Sequence, residues 1–167
     1  MRKFLKGFKY AWSGIIHCVK NERNMRIHMA AALYVLIFAR FFAFSRSEYA
    51  VLLLTIGGVC SAETVNTSVE ILCNKVSKKR DPYIRAAKDA AAGAVLIFAF
   101  FAVLIALFLF GDIDGWKKMY YFYITHPINA AALILLCPVS LIFIIKGPSK
   151  IADFSKRMMR KLFKRKK

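Results

Sequence analysis

The chain has 167 residues, is 59% hydrophobic and carries a formal net charge of +18. A soluble nucleic-acid binder has the charge without the apolar fraction, whereas a membrane protein with basic cytoplasmic segments has both. The long uncharged runs exclude a soluble protein, the length suits one small helical bundle, and no nucleic-acid partner is expected.

Residues 2–20 alternate charge and bulk. At about 100° per residue, Phe4, Phe8, Trp12, Ile15, Ile16 and Val19 share one side, opposite Arg2, Lys3, Lys6, Lys9, Ser13 and Lys20. This predicts an amphipathic helix lying on the membrane surface. Residues 27–44 predict a first span near the lower length limit, with Arg40 close enough to its end to snorkel. Residues 45–48 form a turn, and 49–73 predict a second span whose last half is polar. A basic loop, 74–88, is broken at Asp81-Pro82. Residues 90–110 contain no charge and predict a third span, ended by GDIDG at 111–115. A fourth span is predicted at 128–145, kinked by Pro138 and stopped by Gly147-Pro148. A polybasic tail follows, suited to anionic headgroups. Cys18, Cys60, Cys73 and Cys137 form no C-x-x-C pair and read as small apolar helix residues.

Lysine and arginine number seven in residues 1–26, six in 75–88 and ten in 146–167, against two in 40–48 and two in 111–127. The positive-inside rule therefore puts both termini and the 74–88 loop in the cytoplasm, which four spans allow. The expected fold is all-α: a surface helix, three spans within residues 1–112, then an additional span and tail in 113–167.

The segment AETVNTSVEILCNK, residues 62–75, is the chemical anomaly. Glu63, Asn66, Thr67, Glu70 and Asn74 fall within about 100° of one helical face. Carboxylates at membrane depth are costly unless paired, protonated or bound to metal, which makes a functional site the default reading. Hydrogen bonding to other helices is the structural alternative. Glu63 and Glu70 are separated by about 10 Å of helix rise, so one ion does not easily take both. Two jobs follow: Glu70, near the loop, as a Mg²⁺ ligand, and Glu63, two turns deeper among apolar neighbours, as a general base. Glu22, the only acidic residue of the N-terminal part, sits at the depth of Glu70 and can complete the metal site. Lys88 and Asp89 open the third span on the other flank, where a lysine suits the phosphates of ATP. No GxxxxGK[ST] is present, so the nucleotide site is not a P-loop.

In these segments the chain resembles the bacterial integral-membrane diacylglycerol kinase family, which includes undecaprenol kinases. The resemblance rests on YAWSG at 10–14, NERNMRIH at 21–28, ETVNTSVE at 63–70 and AKDAAAGAV at 87–95, and covers about residues 1–110. It implies a homotrimer in the bacterial cell membrane that transfers the γ-phosphate of MgATP to a lipid hydroxyl. By resemblance Glu63 is the general base, and Glu22 and Glu70 are the metal ligands. Tyr10, Ala11, Glu22, Glu70, Lys79, Arg80, Asp81, Lys88 and Asp89 contact ATP, and Arg26 and Asn66 lie at the lipid substrate. Asn74 stands where the family usually has Asp, which removes a charge near the nucleotide. His28 and AAAGAV bring the chain closer to the undecaprenol kinase branch, so undecaprenol is favoured over diacylglycerol. Two other functions fit part of the pattern: a catalytically weakened member that binds lipid or partners, and a transporter subunit using Glu63 and Glu70 as a proton relay.

Overall fold

The computed structural model describes residues 2–76 and 81–164, with side chains over 4–76 and 81–149. Six helices follow one another: α1 (Arg2–Asn21), α2 (Arg23–Ala39), α3 (Arg46–Val76), α4 (Pro82–Leu109), α5 (Ile113–Thr125) and α6 (Pro127–Lys164), with no strand among the described residues. Three are long and apolar enough to cross a membrane: α3, α4, and α6 over Pro127–Ser149. The protein is an all-α, multi-pass membrane protein.

The helix covering the expected first span is shifted. It begins at Arg23 and ends at Ala39, so its 17 residues fall short of Phe44. At 1.5 Å per residue it is about 25 Å long, a little less than a typical hydrocarbon core. The reason for the early end is aromatic packing. Phe42 is buried, and its ring meets Phe44, Phe110 and Trp116 at centroid distances of 5.7, 4.8 and 5.5 Å.

Residues 113–125, expected as a connection, form α5. Asp112 caps it, its side chain accepting from the Asp114 amide at 3.0 Å, and His126, outside helical dihedrals ahead of Pro127, closes it. Arg40, rather than only snorkelling, lies 4.7 Å from the Phe41 centroid and 5.0 Å from that of Phe122, and donates to the Tyr123 hydroxyl at 3.3 Å.

The helix over the third span starts earlier than expected. Asp81 is its N-cap, accepting from the Tyr83 and Ile84 amides at 2.8 and 3.2 Å, and Pro82 occupies the first turn, where its missing N–H costs nothing. Since α3 runs on to Val76 and α4 begins at Pro82, both ends of the expected 74–88 loop are helical, and Lys88 and Asp89 stand in the second turn of α4. α3 and α4 pack closely because Gly58 has no side chain: a Cβ there would lie 2.7 Å from Cε1 of Phe98.

In α6 the backbone leaves helical dihedrals at Gly147 (φ 69°, ψ 162°) and not at Pro138. Proline fixes a φ that a helix already uses, while Gly147 adopts a positive φ available mainly to glycine. Beyond the break the helix continues to Lys164 rather than stopping; the tail side chains expected at headgroups lie outside the described ones. α6 runs antiparallel to α2. Arg26 meets Ile144 at one end, Tyr34 hydrogen-bonds Ser140 midway at 3.1 Å, and Arg40 meets Tyr123 on the neighbouring α5 at the other. α1 packs on α2, α3 and α6 near its C-terminal end, leaving Phe4, Phe8 and Trp12 uncovered as an interfacial helix requires. One end of the bundle thus gathers the α1–α2 elbow, the second half of α3, the start of α4 and the Gly147 break.

Candidate active site

The polar stripe of α3 turns inward at this end. Glu63, Asn66 and Thr67 are all buried, Glu63 at 2% exposure. Hydroxyls on the same turns satisfy themselves within the helix: Thr67 donates to the Glu63 carbonyl at 2.9 Å, Thr64 to the Cys60 carbonyl at 2.8 Å and Ser68 to the Thr64 carbonyl at 2.9 Å. The carboxamide of Asn66 donates to Glu70 Oε1 at 3.3 Å, tying the middle of the stripe to its outer carboxylate. Among the described residues, two buried acceptors have no donor, Glu63 Oε2 and Asn66 Oδ1. Buried polar atoms are rarely left so in a finished structure, and a hydroxyl or a cation satisfies such a pair.

The stripe faces the elbow between α1 and α2. Glu22 is the N-cap of α2 in extended conformation, and its side chain makes no capping bond, so the carboxylate is not consumed by the helix end. The charges of Glu22 and Glu70 both reach Glu63, and the Asn24 side chain hydrogen-bonds it. Asn24 was not singled out in the sequence; its only signal is its place inside NERNMRIH. Three like charges near one another, one of them on a buried carboxylate, call for compensating charge.

Among the described residues, no three His, Cys, Asp or Glu side chains converge as a complete metal cage. Mg²⁺ asks for less, taking one or two carboxylates and filling its remaining positions with phosphate oxygens and water. Glu22 and Glu70, the two carboxylates whose charges reach Glu63, fit that demand.

On the α4 side, Lys88 Nζ donates to Asn74 Oδ1 at 2.6 Å, bridging the start of α4 to the last turns of α3. Asp89 pairs with Arg85 at 3.6 Å on the exposed side of the same helix, and Asp81 is engaged as the N-cap. Tyr10 and Ala11 stand exposed on α1, about 12 Å of helix rise before Cys18, where that helix becomes buried. Lys79 and Arg80 lie outside the described residues. Arg26 is buried, and its guanidinium donates to the carbonyls of Val19, Lys20 and Ile144. Glu22, Asn24, Glu63, Asn66 and Glu70 are therefore one neighbourhood, and Asn74 with Lys88 forms a second feature toward the α3–α4 connection.

A carboxylate stripe sunk in a helical membrane bundle, with a lysine held at its outer end, defines a polar site within a membrane protein. The chain belongs to the prokaryotic diacylglycerol kinase family, whose model matches residues 9–110; it is a lipid kinase, with ATP as co-substrate. Over 110 residues it is 40% identical to an undecaprenol kinase of Bacillus subtilis, an alignment covering 66% of this chain and 89% of the relative. Over 102 residues it is 35% identical to a diacylglycerol kinase of Synechocystis sp., covering 60% of this chain and 58% of that protein. α5 and α6 lie beyond the family match.

Proposed function

We propose that the protein transfers the γ-phosphate of MgATP to the hydroxyl of a membrane lipid, with undecaprenol preferred over diacylglycerol. The observation carrying this reading is the buried Glu63 carboxylate, whose Oε2 lacks a donor beside the equally unsatisfied Asn66 Oδ1. A lipid hydroxyl entering from the bilayer donates to Glu63. Glu63 takes the proton as the hydroxyl oxygen bonds to the γ-phosphorus, and the bond from that phosphorus to the ADP oxygen breaks. Asn66 flanks the hydroxyl; Arg26, matched to the lipid site by resemblance, has its guanidinium engaged by three backbone carbonyls and is given no lipid contact in this scheme.

Glu22 and Glu70 would hold Mg²⁺, which offsets phosphate charge when bound. Lys88 adds a point charge toward the phosphates. Tyr10, Ala11, Asp81 and Asp89 are assigned to the nucleotide by resemblance, as are Lys79 and Arg80, which lie outside the described residues. The preference for undecaprenol is supported by the 40% identity to an undecaprenol kinase over most of that relative's length. We further propose a homotrimer, both termini cytoplasmic, with α2 as a fourth crossing in addition to the three longer helices.

The experiment is phosphate transfer from MgATP to undecaprenol and to diacylglycerol in mixed micelles, using the full chain. Faster Mg²⁺-dependent phosphorylation of undecaprenol is expected. A rate that ignores Mg²⁺, or a higher kcat/KM for diacylglycerol, overturns the corresponding part of the reading.

A further inference from the structure

Arg26 is 6% exposed, and the hydrogen bonds of its guanidinium run to backbone carbonyls. A buried cation needs compensation, and here it comes from two helix ends. Nη1 donates to the carbonyls of Val19 and Lys20, both at 3.1 Å, in the last turn of α1. The chain turns extended at Glu22, so these carbonyls are the orphaned acceptors of a finished helix. Nε donates to the Ile144 carbonyl at 3.0 Å. That carbonyl is orphaned for a different reason: its intrahelical donor would be residue 148, and Pro148 has no N–H. Arg26 therefore sits where the negative ends of two helix dipoles converge. Gly147 makes the seat possible. A Cβ at that position would lie 3.2 Å from Arg26 Nη1, 3.3 Å from Cζ and 3.4 Å from the Lys20 carbonyl oxygen.

This clasp joins a segment outside the family match to the part of the fold that carries Glu22. Arg26 is one turn after Glu22, and the carbonyls it holds come just before it. We propose that the appended helix α6 is a working part of the kinase site: Gly147 and the Ile144 carbonyl seat Arg26, and Arg26 fixes the elbow that presents Glu22 to the phosphates of MgATP. Arg26 and Gly147 are positioning residues in this scheme. It rests on the assignment of Glu22 to MgATP made above.

The test uses full-length Gly147→Val and Gly147→Ala, with Ser140→Ala as a control that breaks the Tyr34 contact between α2 and α6 without touching the clasp. Two readouts are taken: amide hydrogen exchange, and the concentrations of Mg²⁺, ATP and lipid that give half-maximal rate. In Gly147→Val, exchange should rise in residues 18–26 and not in 49–73. The half-saturating Mg²⁺ and ATP should rise about fivefold or more, while that for lipid stays within about twofold. Gly147→Ala should do the same to a lesser degree, and it decides the matter if the valine variant does not fold. Ser140→Ala should leave every value within about twofold of the parent. The proposal is overturned if the parent shows Mg²⁺-dependent turnover and the foldable glycine variants keep its half-saturating Mg²⁺ and its elbow exchange. It is also overturned if Ser140→Ala reproduces their effect. A parent without Mg²⁺-dependent turnover defeats instead the reading of Glu22, whatever the elbow does.

Discussion

The ammonium of Lys88 donates a 2.6 Å hydrogen bond to the carboxamide oxygen of Asn74, joining the second turn of α4 to the end of α3. A neutral amide fixes the lysine without cancelling its charge. A carboxylate at the same position would fix it and neutralise it together.

Asn74→Asp should therefore weaken ATP binding and leave chemistry intact. An exposed pair of this kind is worth about 0.2–1 kcal/mol, so KM for ATP should rise by up to about fivefold, with kcat within about twofold. Raising the ionic strength should shrink the difference, because the new pair is screened. Initial rates against ATP at fixed lipid, at low and high salt, measure both.

Replacing Glu63 by Gln keeps the shape of the buried side chain and removes its ability to take a proton. General-base catalysis contributes about 10² to 10⁴ in rate, so kcat should fall by at least about 10². Direct binding of a non-hydrolysable ATP analogue should change little, because the proposed scheme holds the nucleotide through Mg²⁺ on Glu22 and Glu70 and through Lys88, not through Glu63. Near-normal turnover in the variant would remove Glu63 from the role of base.

Asp81 accepts two amide hydrogen bonds at the start of α4. Asp81→Ala should destabilise the protein by about 1 kcal/mol, and Asp81→Asn should not, because asparagine caps a helix as well as aspartate does. Unfolding of each variant in detergent micelles, followed by circular dichroism, compares them.

The chemistry was legible in the sequence to the extent that it is local. Glu63, Asn66, Thr67 and Glu70 share a face because a helix repeats about every 3.6 residues, and the first three are buried among apolar residues while Glu70, nearer the helix end, is half-buried. Hydropathy was a weaker guide to where helices end. It carried the first span to Phe44, whereas packing of Phe42 against Phe110 and Trp116 turns the chain after Ala39. It passed over α5, whose residues are mixed in polarity and whose start depends on one capping side chain, Asp112. Pro138 was a misleading mark, because a proline can remain within helical dihedrals while a glycine at positive φ cannot.

What the sequence alone determined is the membrane class, the order of α1, α2, α3, α4 and α6, and the carboxylate stripe, since periodicity and transfer free energy depend only on the residues of one segment. What only the tertiary structure decided is which distant groups meet: the Asn24 carboxamide at Glu63, Lys88 at Asn74, and Arg26 between the ends of α1 and α6. Those meetings join residues up to 118 positions apart. They depend on how helices pack and which carbonyls their ends leave without a donor, and no single segment carries that information.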